Sequence, residues 1–333
     1  MNKYNVTFFV FFLFFLSCNH TNQFKSSFPN KEKLQADYIL PGTFITPMFF
    51  LIQGNYLCTY SLKKDTMIDM FSLPNLLHEK SFGTRGRGPD EFQSFPWPCQ
   101  TTNDKIYIRG YTPLVIKQFN IDSCANITQE NEFILNEHET FGSMHIIQDS
   151  LLVYISMGYQ NDSKQQITIK KINLNYKRKT GEILIPTESQ NASIDPNRGG
   201  ISVNDSFIVY FYVFRKQIDI YDVRNMKLLK RLGNNKKTYT NTIFEENVSQ
   251  YVSVYAGKKY FYALFNKKGN KLSIVEPATQ TIEVFDYNGN AVVEYSFDDY
   301  ISIFAVDELN HLLYVYDETN EDFILKYSLP EIN

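Results

Sequence analysis

Two patterns of apolar and polar positions divide the chain. Near its start, Val6 to Leu16 is one apolar run broken only by Thr7. From Tyr56 onward the pattern is period-two alternation, seen in Ile68-Asp69-Met70-Phe71-Ser72-Leu73 and again in Ile218-Asp219-Ile220-Tyr221-Asp222-Val223. Period two sends successive side chains to opposite faces of a strand. Each run is followed by a short turn and a second run that ends at glycine: Leu76-Leu77-His78-Glu79-Lys80-Ser81-Phe82-Gly83 in one case, Lys227-Leu228-Leu229-Lys230-Arg231-Leu232-Gly233 in the other. Two such runs around a turn read as a hairpin. Helical periodicity is nowhere sustained.

The hairpin recurs. Taking the aromatic or apolar residue before the turn as a marker gives Phe71, Phe119, Ile172, Tyr221, Phe285 and Tyr327, spaced by 48, 53, 49, 64 and 42 residues. A further apolar run precedes each marker: Tyr56 to Tyr60, Ile106 to Ile108, Leu151 to Ile155, Phe207 to Phe211, Leu272 to Val275 and Leu312 to Tyr316. Asn288-Gly289 suits a tight primed turn, where both central residues need positive φ, and Lys179-Thr180-Gly181 plays a similar part after Ile172. A unit of about 50 residues with three or four short strands, repeated six times, predicts an all-β fold, a six-bladed β-propeller. The chain ends soon after the third strand of the sixth unit, Phe323 to Leu329. The fourth strand of that blade is therefore expected from the N-terminal side, around Leu34 to Leu40, so that the last blade is closed by an N-terminal strand.

The early apolar run has eleven residues after the basic Lys3, which matches the apolar core of a secretory signal and is too short to span a bilayer. It stops at Phe15-Leu16-Ser17-Cys18, which resembles the lipobox of bacterial lipoproteins, with Phe15 where a smaller aliphatic residue is usual. The resemblance implies cleavage after residue 17 and acylation of Cys18. More than one acyl chain makes membrane residence stable. Asn19 in place of Asp implies, by the same resemblance, passage to the outer membrane. Residues 18–32 are then expected to be the lipidated Cys18 and a polar tether, and residues 33–333 the propeller.

Between the first two units lies Phe82-Gly83-Thr84-Arg85-Gly86-Arg87-Gly88-Pro89-Asp90-Glu91-Phe92. With the repeat beside it, this element resembles the TolB-like six-bladed propeller lipoproteins, in which a Gly-Arg-Gly-Pro-x-Glu-Phe element follows the first blade. The resemblance implies fold and envelope location, with the protein facing the periplasm, more than any activity. Read physically, Gly83, Gly86 and Gly88 permit a sharp turn and Pro89 keeps Gly88 out of the helical region. Glu91 and Asp90 are then partners for Arg85 and Arg87, and Phe92 plugs the core. The functional alternative is a nest of backbone N–H groups between two guanidinium forks, suited to a carboxylate or phosphate. The glycine spacing is not that of a phosphate loop, since no Lys-Ser/Thr follows.

Composition adds limits. Lys and Arg number 33 against 36 Asp and Glu, a net charge of −3, so a nucleic-acid tail is not expected. Aromatics at 16% supply ample core. Cys58, Cys99 and Cys124 remain after removal of the leader: Cys58 reads as a buried free thiol, and Cys99 with Cys124 as the pair more apt to bridge. In a four-stranded blade, the loop between the second and third strands and the connector to the next blade share one face. That face is expected to hold the candidate ligand-binding residues Arg85, Arg87, Arg109, Tyr111, Tyr159, Arg215, Glu276 and Asp317, with the segments Glu137-His138-Glu139 and Asp195-Pro196-Asn197-Arg198. Catalytic signals are poor: no nucleophile elbow is present, and His78, His145 and His311 lack metal-ligand spacing. No cofactor or resident metal is expected. The reading is an envelope binding module for a protein or glycan; the alternative is a propeller hydrolase or lyase with a channel metal. Replacing Cys18 with Ser is expected to abolish acylation and release the protein from membranes, measured by metabolic lipid labelling and membrane partition.

Overall fold

The computed structural model describes residues 27–40, 46–86, 88, 91–92, 97–101, 105–110, 114–122, 125–135, 140–160, 164–188, 195–233, 248–271, 280–320 and 323–332. The leader, Cys18, Cys124 and Glu137-His138-Glu139 lie outside them. Among the described residues every regular element is a strand. The chain opens with β1 (Asn30–Lys33) and β2 (Ala36–Ile39), then makes antiparallel meanders. Blade 1 is β3 (Phe49–Gln53), β4 (Tyr56–Tyr60), β5 (Thr66–Ser72) and β6 (Leu77–Thr84); blade 2 is β7 (Trp97–Thr101), β8 (Lys105–Gly110), β9 (Leu114–Ile121) and β10 (Ile127–Leu135). Blade 3 is β11 (Thr140–Ile147), β12 (Leu151–Gln160), β13 (Lys164–Asn173) and β14 (Arg178–Ile185); blade 4 is β15 (Gly199–Val203), β16 (Phe207–Tyr212), β17 (Gln217–Asp222) and β18 (Leu228–Gly233). Blade 5 is β19 (Val248–Ala256), β20 (Tyr260–Lys271), β21 (Gln280–Asp286) and β22 (Ala291–Ser296), and blade 6 begins with β23 (Ile303–Asp307), β24 (Leu312–Tyr316) and β25 (Ile324–Ser328). Blades 2 and 3 are joined into one hydrogen-bonded sheet only by a short parallel pairing of their first strands, His145 beside Gln100 and Ile146 beside Thr101.

The six markers of the sequence repeat all lie on the third strand of a blade, and all are buried. In blades 1, 3, 4 and 5 the register between third and fourth strands shifts at the marker, between Met70 and Phe71, Lys171 and Ile172, Ile220 and Tyr221, and Val284 and Phe285. A bulge there strengthens the local twist. The turns explain it. Gly289 N–H donates to Asp286 O, Asp286 N–H to Asn290 O, and Gly289 sits at φ 82°, a type I turn followed by a left-handed residue. This corrects the primed turn expected at Asn288-Gly289: only Gly289 has positive φ. Asp122 and Asn126 repeat the arrangement in blade 2, with the aspartate accepting from the asparagine N–H at 2.8 Å in both turns.

A blade has two apolar faces and cannot bury both alone. Six hydrophobic clusters fill the six seams, such as Phe50, Leu57 and Phe71 of blade 1 against Tyr314, Tyr316 and Ile324 of blade 6. Each large side chain removed from water there contributes about 1.5–3 kcal/mol. Two residues before the marker, blades 1, 4 and 5 bury an acid whose charge is met locally. Asp69 takes Lys64 at 2.7 Å and Ser81 at 2.6 Å; Asp219 takes the Arg231 fork at 2.7 and 2.6 Å; Glu283 takes Lys216 at 2.8 Å and Tyr251 at 2.7 Å. Cys58 and Cys99 are free buried thiols, both pushed up to about 12 by burial. The expected Cys99–Cys124 bridge is therefore not made, because Cys99 points into the sealed core with Tyr107, Ile146 and Tyr154.

Closure comes from the N-terminal side as the strand count requires. β2 pairs antiparallel with β25, Ala36 beside Tyr327 through Ile39 beside Ile324, and supplies the fourth strand of blade 6. The Tyr38 and Tyr327 hydroxyls both donate to Asp299 in the connector leaving blade 5, the latter at 2.8 Å. One part of the tether reading is corrected. β1 already adds in parallel to β22 from Asn30, and Phe28, 7% exposed, packs on Phe285 with ring centroids 5.2 Å apart in the seam between blades 4 and 5. Residues 28 to 32 thus belong to the folded body. Phe28→Ala should cost about 3–5 kcal/mol of unfolding free energy, read from urea denaturation; a loss below about 1 kcal/mol would mean this anchor is not made.

Candidate functional site

In each meander, the loop between second and third strands and the connector between blades lie at one end of the strands, and the tight turns lie at the other. We name these the loop face and the turn face. Of the residues singled out from sequence, Arg85, Arg109, Arg215 and Asp317 belong to the loop face and are engaged structurally. Arg85 is exposed and its Nη2 donates to Leu62 O at 2.9 Å, tying the connector to the loop of its own blade. Arg109 is only 4% exposed, with its guanidinium 6.0 Å from the centroid of Trp97. Arg215 pairs with Glu188 at 2.8 Å across the junction of blades 3 and 4. Asp317, buried, caps its loop by accepting from Thr319 N–H at 2.8 Å. Tyr159 stands on β12 opposite Gln165. Arg87, Tyr111 and Glu276 lie outside the described residues.

The glycine element closes on itself. Glu91 folds back so that its Oε2 accepts from Gly88 N–H at 2.6 Å. Gly86 N–H goes to Phe92 O, and Phe92 N–H to Thr84 O. A Cβ on Gly86 would lie 2.0 Å from the Glu91 carboxylate, which is why glycine stands there. Gly83 needs its own freedom, at φ 76° against Ile68. Phe92, 3% exposed, fills the seam between blades 1 and 2 under the Lys117 ammonium, 5.1 Å from its ring. The N–H groups of Gly86 and Gly88 that an anion nest would offer are thus consumed by the element itself, and Arg85 pairs with a carbonyl while Glu91 accepts from Gly88. Asp195 does the same work between blades 3 and 4: fully buried, it accepts from Glu188 N–H at 2.6 Å and Asn197 N–H at 2.7 Å.

Among the described residues, two open cavities lie on the turn face. One, of about 250 Å³, sits on the ring axis where the ends of the first strands converge, lined by Gln53, Gln100, Asn204, Tyr255, Lys258 and Glu308 among others. A second, of about 240 Å³, runs between blades 5 and 6 beside it and is lined by Tyr260, Tyr262, Tyr295, His311 and Leu329, again with Lys258 and Glu308. None of the described loop-face residues nominated above lines either. The walls are pinned: Asn204 donates to Gly257 O at 2.7 Å and to the Tyr287 hydroxyl at 2.8 Å, and Ala256 N–H to Ser202 Oγ at 2.9 Å. Glu308 accepts from Lys258 N–H at 2.7 Å, and burial raises its carboxyl above the usual range despite that bond. Burial raises the Tyr262 and Tyr295 phenols, the latter to about 12, so both remain protonated donors.

Among the described residues the histidines do not converge. His78 contacts Ser81 at 3.0 Å; His145 is buried and neutral, lowered to about 4 by burial, with Nε2 3.0 Å from Ile201 O; His311 is exposed at the second cavity. Among the described residues no group of three or more His, Cys, Asp or Glu is placed to hold a metal ion. Sequence reasoning missed the cavity residues because the turns that carry them are far apart along the chain. The one available signal was polar residues at the ends of successive first strands, Gln53, Gln100 and Asn204.

A ring of six blades, the last closed by an N-terminal strand, defines the class as a six-bladed β-propeller. The chain belongs to the TolB-like 6-blade propeller-like family, whose profile matches residues 24–309. Among solved structures, an exported protein of Bacteroides fragilis NCTC 9343 is similar over 91% of this chain and 99% of its own, at 11% identity and a TM-score of 0.57. BamB of Moraxella catarrhalis is similar over 85% and 70%, at 9% identity and a TM-score of 0.40. Raptor of Chaetomium thermophilum is similar over 90% of this chain but 29% of its own, at 10% identity and 0.48. No curated protein sequence matches.

Gly86→Ala should displace Glu91 and lower stability by about 1–3 kcal/mol, whereas Arg85→Ala, at an exposed position, should cost no more than about 1 kcal/mol. Paired urea denaturation curves check the order.

Proposed function

We propose that this protein is a lipid-anchored envelope propeller that acts as a binding module, taking its ligand at the turn face. The observation that carries the reading is the pair of adjoining cavities there, which share Lys258 and Glu308 and have pinned walls. Each is slightly below the roughly 300–1,000 Å³ of ordinary ligand sites, and together they fall within that range. The loop face was the expected site, but its described charged groups are engaged in holding loops and connectors. The address rests on the sequence: the leader, the Ser17-Cys18 junction and the polar residues after it. A Bacteroides protein of the same fold is described as exported, which agrees with that address.

The chain enters the body beside the turn between β21 and β22, since Phe28 packs on Phe285 and Asn30 Nδ2 reaches Val292 O. Nine Cα steps separate Cys18 from Ser27, a reach of about 30 Å when extended. An acylated Cys18 therefore brings the turn face within reach of a membrane surface, and a periplasm-facing component of the envelope, protein or glycan, is the partner in this reading.

Capture from detergent-solubilised envelopes tests it. Wild-type protein is expected to retain a specific component, the double variant Lys258→Glu/Lys259→Glu to lose it, and the loop-face variant Arg85→Glu to keep it. No specific capture would remove the binding-module reading; loss in the Arg85 variant alone would move the site to the other face.

A further inference from the structure

Buried tyrosines in this protein generally have partners. Tyr210 donates to Asn197 O, Tyr212 and Tyr221 to Asp219, Tyr251 to Glu283, and Tyr327 to Asp299. Tyr262 and Tyr295 differ. They are 5% and 1% exposed, they line the cavity between blades 5 and 6, and neither hydroxyl has a hydrogen-bond partner among the described residues. Tyr314 is unpartnered as well, but its hydroxyl is sealed in the core. Unlike the Tyr314 hydroxyl, those of Tyr262 and Tyr295 both open to the cavity, where phenylalanine would fill the same space but offer no donor. Two such hydroxyls on one cavity wall are donors left for a ligand.

The remaining lining narrows the class. Tyr260 adds a third aromatic ring, and Leu329 with Pro330 forms an apolar side. Lys258 and Lys259 stand exposed at the rim, and neither forms an ion pair among the described residues. Glu308, held by Lys258 N–H, is an acceptor at the junction with the axial cavity, which continues among the side-chain amides of Gln53 and Gln100. The part-exposed Tyr260 ring, two phenol donors, side-chain amides and a positive rim match a ligand with an apolar C–H face, many hydroxyls and a negative charge.

We propose that the cavity between blades 5 and 6 is a subsite for an acidic oligosaccharide. One sugar ring lies against Tyr260 and accepts from the Tyr262 and Tyr295 hydroxyls. Its carboxylate meets Lys258 and Lys259, and the chain continues past Glu308 into the axial cavity. This rests on the turn face being the binding face.

Calorimetric titration of the full chain with oligogalacturonates of three to six residues and with sialyl-lactose tests it. Binding of one of these acidic probes is expected. Tyr262→Phe/Tyr295→Phe should weaken it about ten-fold, the effect of two lost hydrogen bonds, without lowering the melting temperature. Lys258→Gln/Lys259→Gln should weaken it comparably and flatten its salt dependence. Failure of all these probes to bind, or affinity unchanged in the tyrosine pair, overturns the subsite. If envelope capture still depends on Lys258 and Lys259 in that case, the binding face stands and its ligand is a protein; if capture fails too, both readings fall.

Discussion

Ring closure is the constraint on which this fold depends. Five blades complete themselves from contiguous sequence, but the sixth has only three strands of its own, and β25 would present an unpaired edge without β2. The four residues Ala36–Ile39 cover that edge and hold the seam where Phe50 and Phe71 of blade 1 meet Tyr314 and Tyr316 of blade 6. Asp299 couples the closure to the connector from blade 5 through two tyrosine hydroxyls. The seams are equivalent in kind, so opening one exposes two apolar blade faces at once and loosens the geometry of the axis.

The axis matters because the cavities are products of convergence. No single blade makes the axial cavity: Gln53, Gln100, Asn204, Lys258 and Glu308 come from blades 1, 2, 4, 5 and 6. The two ends of the strands have different work. On the loop face, Arg85, Arg215, Asp195 and the Gly86–Glu91 turn hold connectors in place. On the turn face, short hairpins need little such bracing, and Lys258, Lys259, Tyr262 and Tyr295 line a cavity there.

The repeat was readable in the sequence because its third strands are buried on both faces and end at a turn, so Phe71, Phe119, Ile172, Tyr221, Phe285 and Tyr327 mark equivalent positions. The closing strand followed from counting strands. What escaped was β1: Asn30-Lys31-Glu32-Lys33 is an outermost strand with mostly exposed side chains, and such a strand has no alternation to read. The turn at Asn288-Gly289 was assigned from a dipeptide, whereas the aspartate at 286 and the asparagine at 290 decide its geometry. The cavities escaped for a different reason, since adjacency across a ring is not encoded in spacing along the chain.

The attachment of β1 has a mechanical consequence. It runs parallel to β22, so tension drawn along the chain from its N-terminal side loads all the β1–β22 hydrogen bonds together in shear, with Phe28 wedged ahead of them as a chock. The load is taken up by blade 5 before it can reach β2. A pull applied through the N-terminal side would thus leave the ring shut.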